Sequence, residues 1–364
     1  MSFLRKNQGA KHYGVVLESG DKYDWDSDCA GFCSVFKDSD EPKKTYVYYS
    51  GAGSKNWDHA HCAIGLSISS DGVHFDKFQD NPIVEGPPGS FCEKEALTPA
   101  VAKVSNKYYM VFAGKPHAKA RRRLGIACAD DPKGPWEILG PIIEPKESWE
   151  GYEIDCGTSI IPQGNSILFY YSNCLPTRHQ AMINWLHSPS STPPFRLSPP
   201  FEPSIRYTIR RVGIARIRIA DGKMPRTRAY RFAQNPLQHL NGKVGSWNES
   251  LFCPGYLESS GRHLLFATAS TYSTGFPYRQ YIGVVESLSP LFRKNECGRM
   301  RIIIDGPGEK KNIMPSTKSE LALDTPSPLL EDGKLYLYYA VMDREENTWK
   351  IALTTYRSCK QVCR

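Results

Sequence analysis

The chain has no run approaching the ~18 consecutive apolar residues of a membrane-spanning helix. Its first residues, MSFLRKNQGAKHYG, carry basic side chains but no apolar stretch of the signal-peptide kind. Both absences point to a soluble, cytoplasmic protein with no membrane partner. No CxxC or HExxH spacing occurs, so the common zinc signatures are missing. Eleven cysteines in 364 residues are too sparse for a disulfide scaffold, and the odd number leaves at least one thiol unpaired or paired between chains. Neither a metal nor a cofactor is expected. The charge is only mildly one-sided, formally +8, which suits an anionic ligand or simple solubility. Arginines cluster at 121–123 and 206–211, but aromatic interleaving is sparse and no nucleic-acid-binding module appears, so nucleic acid is not expected as a partner.

What the sequence does hold is a fivefold repeat. Asp155 opens DCGTSIIPQGNSILFYYSN, an acidic residue, a β-prone run, a polar turn and an aromatic-rich run, which reads as two antiparallel strands. Four further copies follow the same plan. DCAGFCSVFKD with KTYVYYSG begins at Asp28, and LTPAVAKVSN with KYYMVFAG begins at Leu97. FCPGYLESSG with RHLLFATAS begins at Phe252, and DTPSPLLEDG with KLYLYYAV begins at Asp324. A third strand follows each pair: Ile64-Gly65-Leu66, Leu124-Gly125-Ile126, Val212-Gly213-Ile214, Ile282-Gly283-Val284 and Ile351-Ala352-Leu353. Repeated small antiparallel sheets are the mark of radial repetition. The expected fold is therefore all-β, a single five-bladed β-propeller.

The blades are expected near 28–80, 95–140, 155–235, 249–305 and 324–357, with a long Pro-rich insertion, 174–211, in the third. The fifth copy is one strand short, so YGVVLE at residues 13–18 is expected to supply it and close the ring. Asn81-Pro82, Gly140-Pro141 and Asn235-Pro236 mark crossings between units. Cys29, Cys156 and Cys253 read as one repeat position, expected to hold small buried core residues. Cys359 and Cys363 can bridge or fray.

Strand alternation places the first-strand starts and the second-to-third-strand loops on one rim, the expected site face. Asp28, Asp155 and Asp324 align at one repeat position, with Glu95 two residues before its copy and Glu249 three before. Converging carboxylates repel one another and separate into a proton donor and a base, which glycosidic bond cleavage needs. An Asp before a strand can equally cap a turn. Candidate ligand contacts on the same rim are Trp25, Trp57, His59, His61, Arg211, Tyr278, Arg279 and Asp324. The tryptophans can stack on a sugar or pack. His59 and His61, two apart, are read as sugar-contacting or structural rather than a metal pair.

The Asp28 strand, IDCGTSII, and the outer strands IGLSISSDGVHF and GIACADDPKGPWEIL together resemble the five-bladed glycosidases, nearest the arabinanase and xylosidase type and more distantly the invertase type. The resemblance implies Asp28 as general base, Asp155 as a residue that tunes pKa values and orients substrate, and a general acid near the start of the fourth unit. Phe252 stands at that aligned position, leaving Glu249 or, in an invertase-like layout, Glu95. The expected activity is hydrolysis of a furanosidic, pyranosidic or anionic sugar, by inversion. The alternative is a propeller that keeps this scaffold but binds carbohydrate or another small molecule without hydrolysing it.

Overall fold

The computed structural model describes residues 10–54, 60–174, 209–219, 223, 225, 228–271, 280–305, 320–343, 346 and 348–357. Among them the structure is all-β, with one-turn 3-10 helices at Ser148–Glu150 and Gln238–Leu240. The chain opens with β1 (Ala10–Leu17). Four groups of four strands then follow. The first holds β2 (Cys29–Phe36), β3 (Thr45–Ala52), β4 (Cys62–Ser69) and β5 (Asp76–Lys77). The second holds β6 (Glu95–Val104), β7 (Lys107–Lys115), β8 (Arg123–Ala129) and β9 (Glu137–Ile143). The third holds β10 (Glu153–Gln163), β11 (Ser166–Cys174), β12 (Val212–Arg218) and β13 (Tyr230–Arg231), and the fourth β14 (Ser250–Ser259), β15 (Arg262–Ser270), β16 (Gln280–Ser287) and β17 (Arg301–Asp305). The last group is β18 (Glu320–Glu331), β19 (Lys334–Asp343) and β20 (Trp349–Tyr356). Its fourth strand is β1, which pairs antiparallel with β20, Val15 opposite Ala352.

Every group is a plain antiparallel meander, as β-branched and aromatic strands joined by short polar turns favour. The first strands of successive groups touch, β2 with β6, β6 with β10, β10 with β14 and β14 with β18; β18 also lies against β2. The apolar cores sit between groups. One joins Val111, Ile126, Ile142, Ile154, Phe169 and Ile217 across the second and third. Another joins Phe266, Ile282, Ile304, Leu337 and Tyr339 across the fourth and fifth.

The recurring glycine of the third strand has a steric cause. In four groups an aromatic ring from the segment leading into the first strand lies over it. A Cβ built on Gly65 would come within 2.9 Å of Trp25, on Gly125 within 2.0 Å of Phe91, on Gly213 within 2.5 Å of Trp149, and on Gly283 within 2.8 Å of Trp247. Real Cβ atoms do not approach so closely, so each ring and its glycine specify one another. Gly125→Ala must displace Phe91 from the core and should cost about 1–3 kcal/mol, the usual penalty of overpacking. Urea unfolding measures it. An unchanged midpoint would show that the ring has room to move.

The carboxylates behind these rings are equally built in. Asp26 accepts from Tyr49 (2.9 Å) and Lys77 (2.7 Å). Glu150 takes the same part in the third group, accepting from Tyr171 (2.7 Å) and Arg231 (2.6 Å). These are frame residues, and the hub in front of them is where the groups differ.

Candidate functional site

Strand register decides which side chains face the hub. In each group the first strand carries a bulge, and one residue just before it, the last but one in the third group, pairs with the strand-two residue that also faces the third-strand position before the glycine. This places Gly31 opposite Ser50, Leu97 opposite Ala113 and Asp155 opposite Ser172. Phe252 lies opposite Thr268 and Asp324 opposite Ala340. The next residue has positive φ in four of the five, at Phe32, Thr98, Cys253 and Thr325. Asp155, Asp324, Leu97 and Phe252 thus hold one position, as the sequence alignment has it.

Asp28 does not. The matching Asp-Cys pairs suggest an equivalence with Asp155, but the bulge sets the register three residues later and Gly31 takes the hub position. A Cβ there would lie 3.2 Å from the Cβ of Trp349, so the space is already filled. Asp28 precedes β2, on the alternate face from Cys29 and Gly31. Its backbone bridges two strands, the N–H donating to the Ala52 carbonyl (3.0 Å) and the carbonyl accepting from Trp349 N–H (3.2 Å). Among the described residues no side-chain hydrogen bond holds its half-buried carboxylate. Asp28→Asn should change unfolding free energy by no more than about 0.5 kcal/mol, the range of surface substitutions. It should also leave carbohydrate binding intact by titration calorimetry. A tenfold weaker ligand would place Asp28 in the site.

A further correction comes from the same register. Cys29 stands at the level of Glu95 and Glu153, whereas Cys156 and Cys253 each follow the hub residue. All three are buried, and burial pushes the Cys156 thiol well above its usual range. Glu249, also buried, stands one residue before its strand, as Asp28 does, and its carboxylate accepts from Gly245 N–H (3.2 Å) in closing a turn.

The hub carboxylates are Glu95, Glu153, Asp155 and Asp324. Period-two alternation puts Glu153 and Asp155 on one face of β10, and Glu95 at the level of Glu153 on β6. Arg122 reaches across from the second group. It donates through Nε (3.0 Å) and Nη2 (2.8 Å) to Glu95 and through Nη1 (2.9 Å) to Asp155. Arg210 donates through Nη2 to the other Asp155 oxygen (3.2 Å) and lies 3.8 Å over the Phe252 ring. Lys115 donates to Glu153 (2.7 Å) and stands 3.8 Å from Glu95. All of these carboxylates are buried. Lys115, Arg122 and Arg210 therefore balance Glu95, Glu153 and Asp155, as buried charges require.

Asp324 is the fourth carboxylate. It accepts from neutral donors, the Thr268 hydroxyl (3.0 Å) and the Thr325 N–H (2.7 Å). Burial raises its pKa, against a lowering influence from Arg210 and with a further rise from Asp155. Environments that differ this way between neighbouring carboxyls separate a proton donor from an ionised partner. The opposite side of the hub is apolar: Cys29, Ala52, Ala60, Cys62 and Leu97 pack with Phe32 and Trp349, whose rings are 4.8 Å apart. Burial pushes the Cys62 thiol up to about 12, so it is an inert apolar wall.

Of the other candidates, Trp25 is packed. Its ring stacks on Tyr49 at 5.8 Å and covers Gly51 and Gly65, the place Phe91, Trp149 and Trp247 fill elsewhere. His61 is exposed on the rim, its Nδ1 3.4 Å from Glu85. Arg211 directly precedes β12 and is half-buried, its backbone N–H donating to Asn173 Oδ1 (2.6 Å). Trp57, His59, Tyr278 and Arg279 lie outside the described residues, as do Cys359 and Cys363. Sequence reasoning missed Glu153 and Lys115. The signal for Glu153 was present in the two-residue spacing of Glu153 and Asp155, the same spacing as Glu95 and Leu97.

No protein-family model and no curated protein matches the chain. Solved structures do. A glycoside hydrolase superposes with a TM-score of 0.64 at 13% identity, over 96% of this chain and 93% of that one. The α-L-arabinanase of Cellvibrio cellulosa, solved with arabinohexaose, gives 0.55 at 13% identity over 89% and 90%. The endo-arabinase of Bacteroides thetaiotaomicron gives 0.52 at 15% identity over 89% and 93%. The chain thus has the all-β fold of the propeller glycoside hydrolases of arabinanase type.

Proposed function

We propose that this chain is a carbohydrate-active enzyme that hydrolyses a glycosidic bond at the hub, with Asp324 as proton donor and Asp155 as its ionised partner. One observation carries the reading: two carboxyls at the same repeat position face one hub, Asp155 paired with two guanidiniums and Asp324 raised by burial. A donor needs a raised pKa and its partner a stabilised charge. The apolar wall of Phe32 and Trp349 opposite a charged wall suits a sugar, which has an apolar face and a polar edge. The five groups are, on this reading, five blades, with β1 completing the last and the contact of β18 with β2 closing the ring. The blades span about the ranges 28–80, 95–140, 155–235, 249–305 and 324–357. Arabinanase-type neighbours favour a glycoside as substrate.

A second reading, binding without hydrolysis, is favoured by Gly31 and Phe252. The resemblance puts its base in the first unit and its acid in the fourth, and at the hub level those units offer no carboxylate. A screen against aryl glycosides and oligosaccharides decides between the two readings. Hydrolysis that depends on Asp324 supports the first. Binding by calorimetry with no turnover establishes the second.

A further inference from the structure

The first strand of a group lies against the second strand of the group before it, and at three of these seams a hydroxyl meets a backbone amide. Ser50 Oγ accepts from the N–H of Thr98 (2.9 Å), Ser172 Oγ from Cys253 (3.2 Å) and Thr268 Oγ1 from Thr325 (3.0 Å). Each amide belongs to the positive-φ residue of the bulge, so the hydroxyl satisfies a buried donor that the bulge takes out of the ladder. To this point the three are alike, and the role is structural. The residue before the amide differs. It is Leu97 in the second group, Phe252 in the fourth and Asp324 in the fifth. Of these side chains only Asp324 can accept a hydrogen bond, and the Thr268 hydroxyl donates to its Oδ1 (3.0 Å).

The direction of this bond follows from its neighbours. The Thr325 N–H donates both to Thr268 Oγ1 (3.0 Å) and to Asp324 Oδ1 (2.7 Å). Oγ1 is thus already an acceptor, and its own proton goes to the carboxyl. Oδ1 receives two donors, whereas Oδ2 has no hydrogen-bond partner among the described residues. A protonated carboxyl has one oxygen that accepts and one that carries the proton. Two donors make Oδ1 the accepting oxygen and leave the proton to Oδ2. Burial raises the pKa of this group; Arg210, the Thr325 N–H and the Thr268 hydroxyl lower it in turn, and Asp155 adds to the rise.

We propose that Thr268 is a positioning residue of the hub, whose hydroxyl fixes Oδ1 as the accepting oxygen and so sets on Oδ2 the proton that Asp324 donates. The inference rests on the hydrolytic reading above. In the donation step the glycosidic C–O bond breaks and its electron pair stays on the leaving oxygen. That oxygen takes the Oδ2 proton and departs as an alcohol, leaving Asp324 a carboxylate. Water captures the positive sugar carbon and releases a proton to solvent. Through this step the Thr268 hydrogen bond passes from a neutral to a charged acceptor. It therefore strengthens towards the transition state, which favours turnover rather than binding. Thr268→Val should lower kcat about 10-fold with KM unchanged, the difference between a neutral and a charge-assisted hydrogen bond. The loss should be larger on poor leaving groups than on aryl glycosides, and Thr268→Ser should restore it.

A readout that needs no turnover is the titration of the Asp324 carboxyl carbon, followed by carbon NMR in the intact chain and assigned with Asp324→Asn. Losing a donor to the charged form moves a carboxyl's midpoint up. Thr268→Val should therefore titrate at higher pH than wild type, and Thr268→Ser like wild type. Thr268→Val should fold, because the Thr325 N–H keeps Oδ1 as its acceptor. Ser50→Ala is the control. It strips the matching amide of Thr98, where Leu97 stands in place of the carboxyl, and should leave the Asp324 midpoint unmoved. A midpoint that Thr268→Val does not move, or that Ser50→Ala moves as far, overturns the proposal; the hydrolytic reading then stands or falls on Asp324→Asn alone. A midpoint that rises in Thr268→Val only, in a chain that turns over no glycoside, upholds the placement of the proton and removes the hydrolytic reading.

Discussion

Asp155→Ala should lower the unfolding free energy by about 3–5 kcal/mol, the cost of removing one partner from a buried ion pair. Asp155 takes Arg122 on one oxygen and Arg210 on the other. Removing it leaves both guanidiniums buried with one counter-charge fewer in a set that was balanced. Arg122 keeps Glu95, so most of the loss falls on Arg210, which keeps among its contacts the Phe252 ring and the Asn173 carbonyl (2.9 Å). Asp155→Asn keeps an acceptor and should cost less, because the hydrogen bonds persist while the charge does not. Asp155→Leu with Arg210→Met removes both ends of the pair and should recover a large part of the loss, since apolar replacements of whole buried pairs are often tolerated. Denaturant titrations of the four proteins measure this. If Asp155→Ala costs less than about 1 kcal/mol, the pair is solvated in solution and the hub is wetter than the burial of Asp155 implies.

Much of the frame was legible in the chain. The strand runs, the X-Gly-X words and the Asp/Phe/Leu alignment of four groups all rest on local periodicity, which sequence displays directly. The first group failed because Asp28-Cys29 imitates Asp155-Cys156, while register is set by a bulge that follows Gly31 in one case and Cys156 in the other. A bulge is a backbone event, and Phe32 or Thr98 at positive φ leaves little compositional trace. Trp25 was ambiguous for a related reason. A tryptophan over a glycine and a tryptophan over a sugar have the same one-letter spelling, and only the matching places of Phe91, Trp149 and Trp247 separate them. The hub ion pairs were the least legible part. Arg122 and Asp155 are 33 residues apart and Arg210 and Asp155 are 55 apart, so nothing local links them. The arginine clusters were visible, but not that Arg122 and Arg210 are largely consumed by the protein's own carboxylates.

Asp324→Asn is the test on which the hydrolytic reading depends, and its expected effect on turnover is a fall of about 10²- to 10⁴-fold, the range of general acid contributions. Asparagine keeps the shape and can still accept from Thr268 and Thr325. What it cannot do is deliver a proton. The loss should therefore be largest on substrates with poor leaving groups and small on aryl glycosides whose leaving group departs unaided. Equal losses on both would remove Asp324 from the donor role. The same substitution has a pH signature that does not depend on activity. Burial holds the folded-state pKa of Asp324 above its ordinary value, so the folded chain binds this proton more tightly than the unfolded one. Its contribution to stability is therefore complete below the unfolded pKa, about 3.9, and is lost as pH rises through the higher folded value. Wild type should lose stability across that window relative to Asp324→Asn, whose side chain does not titrate. Parallel pH–stability curves for the two proteins would mean that Asp324 is ionised in the fold, and a carboxyl already ionised cannot be the acid.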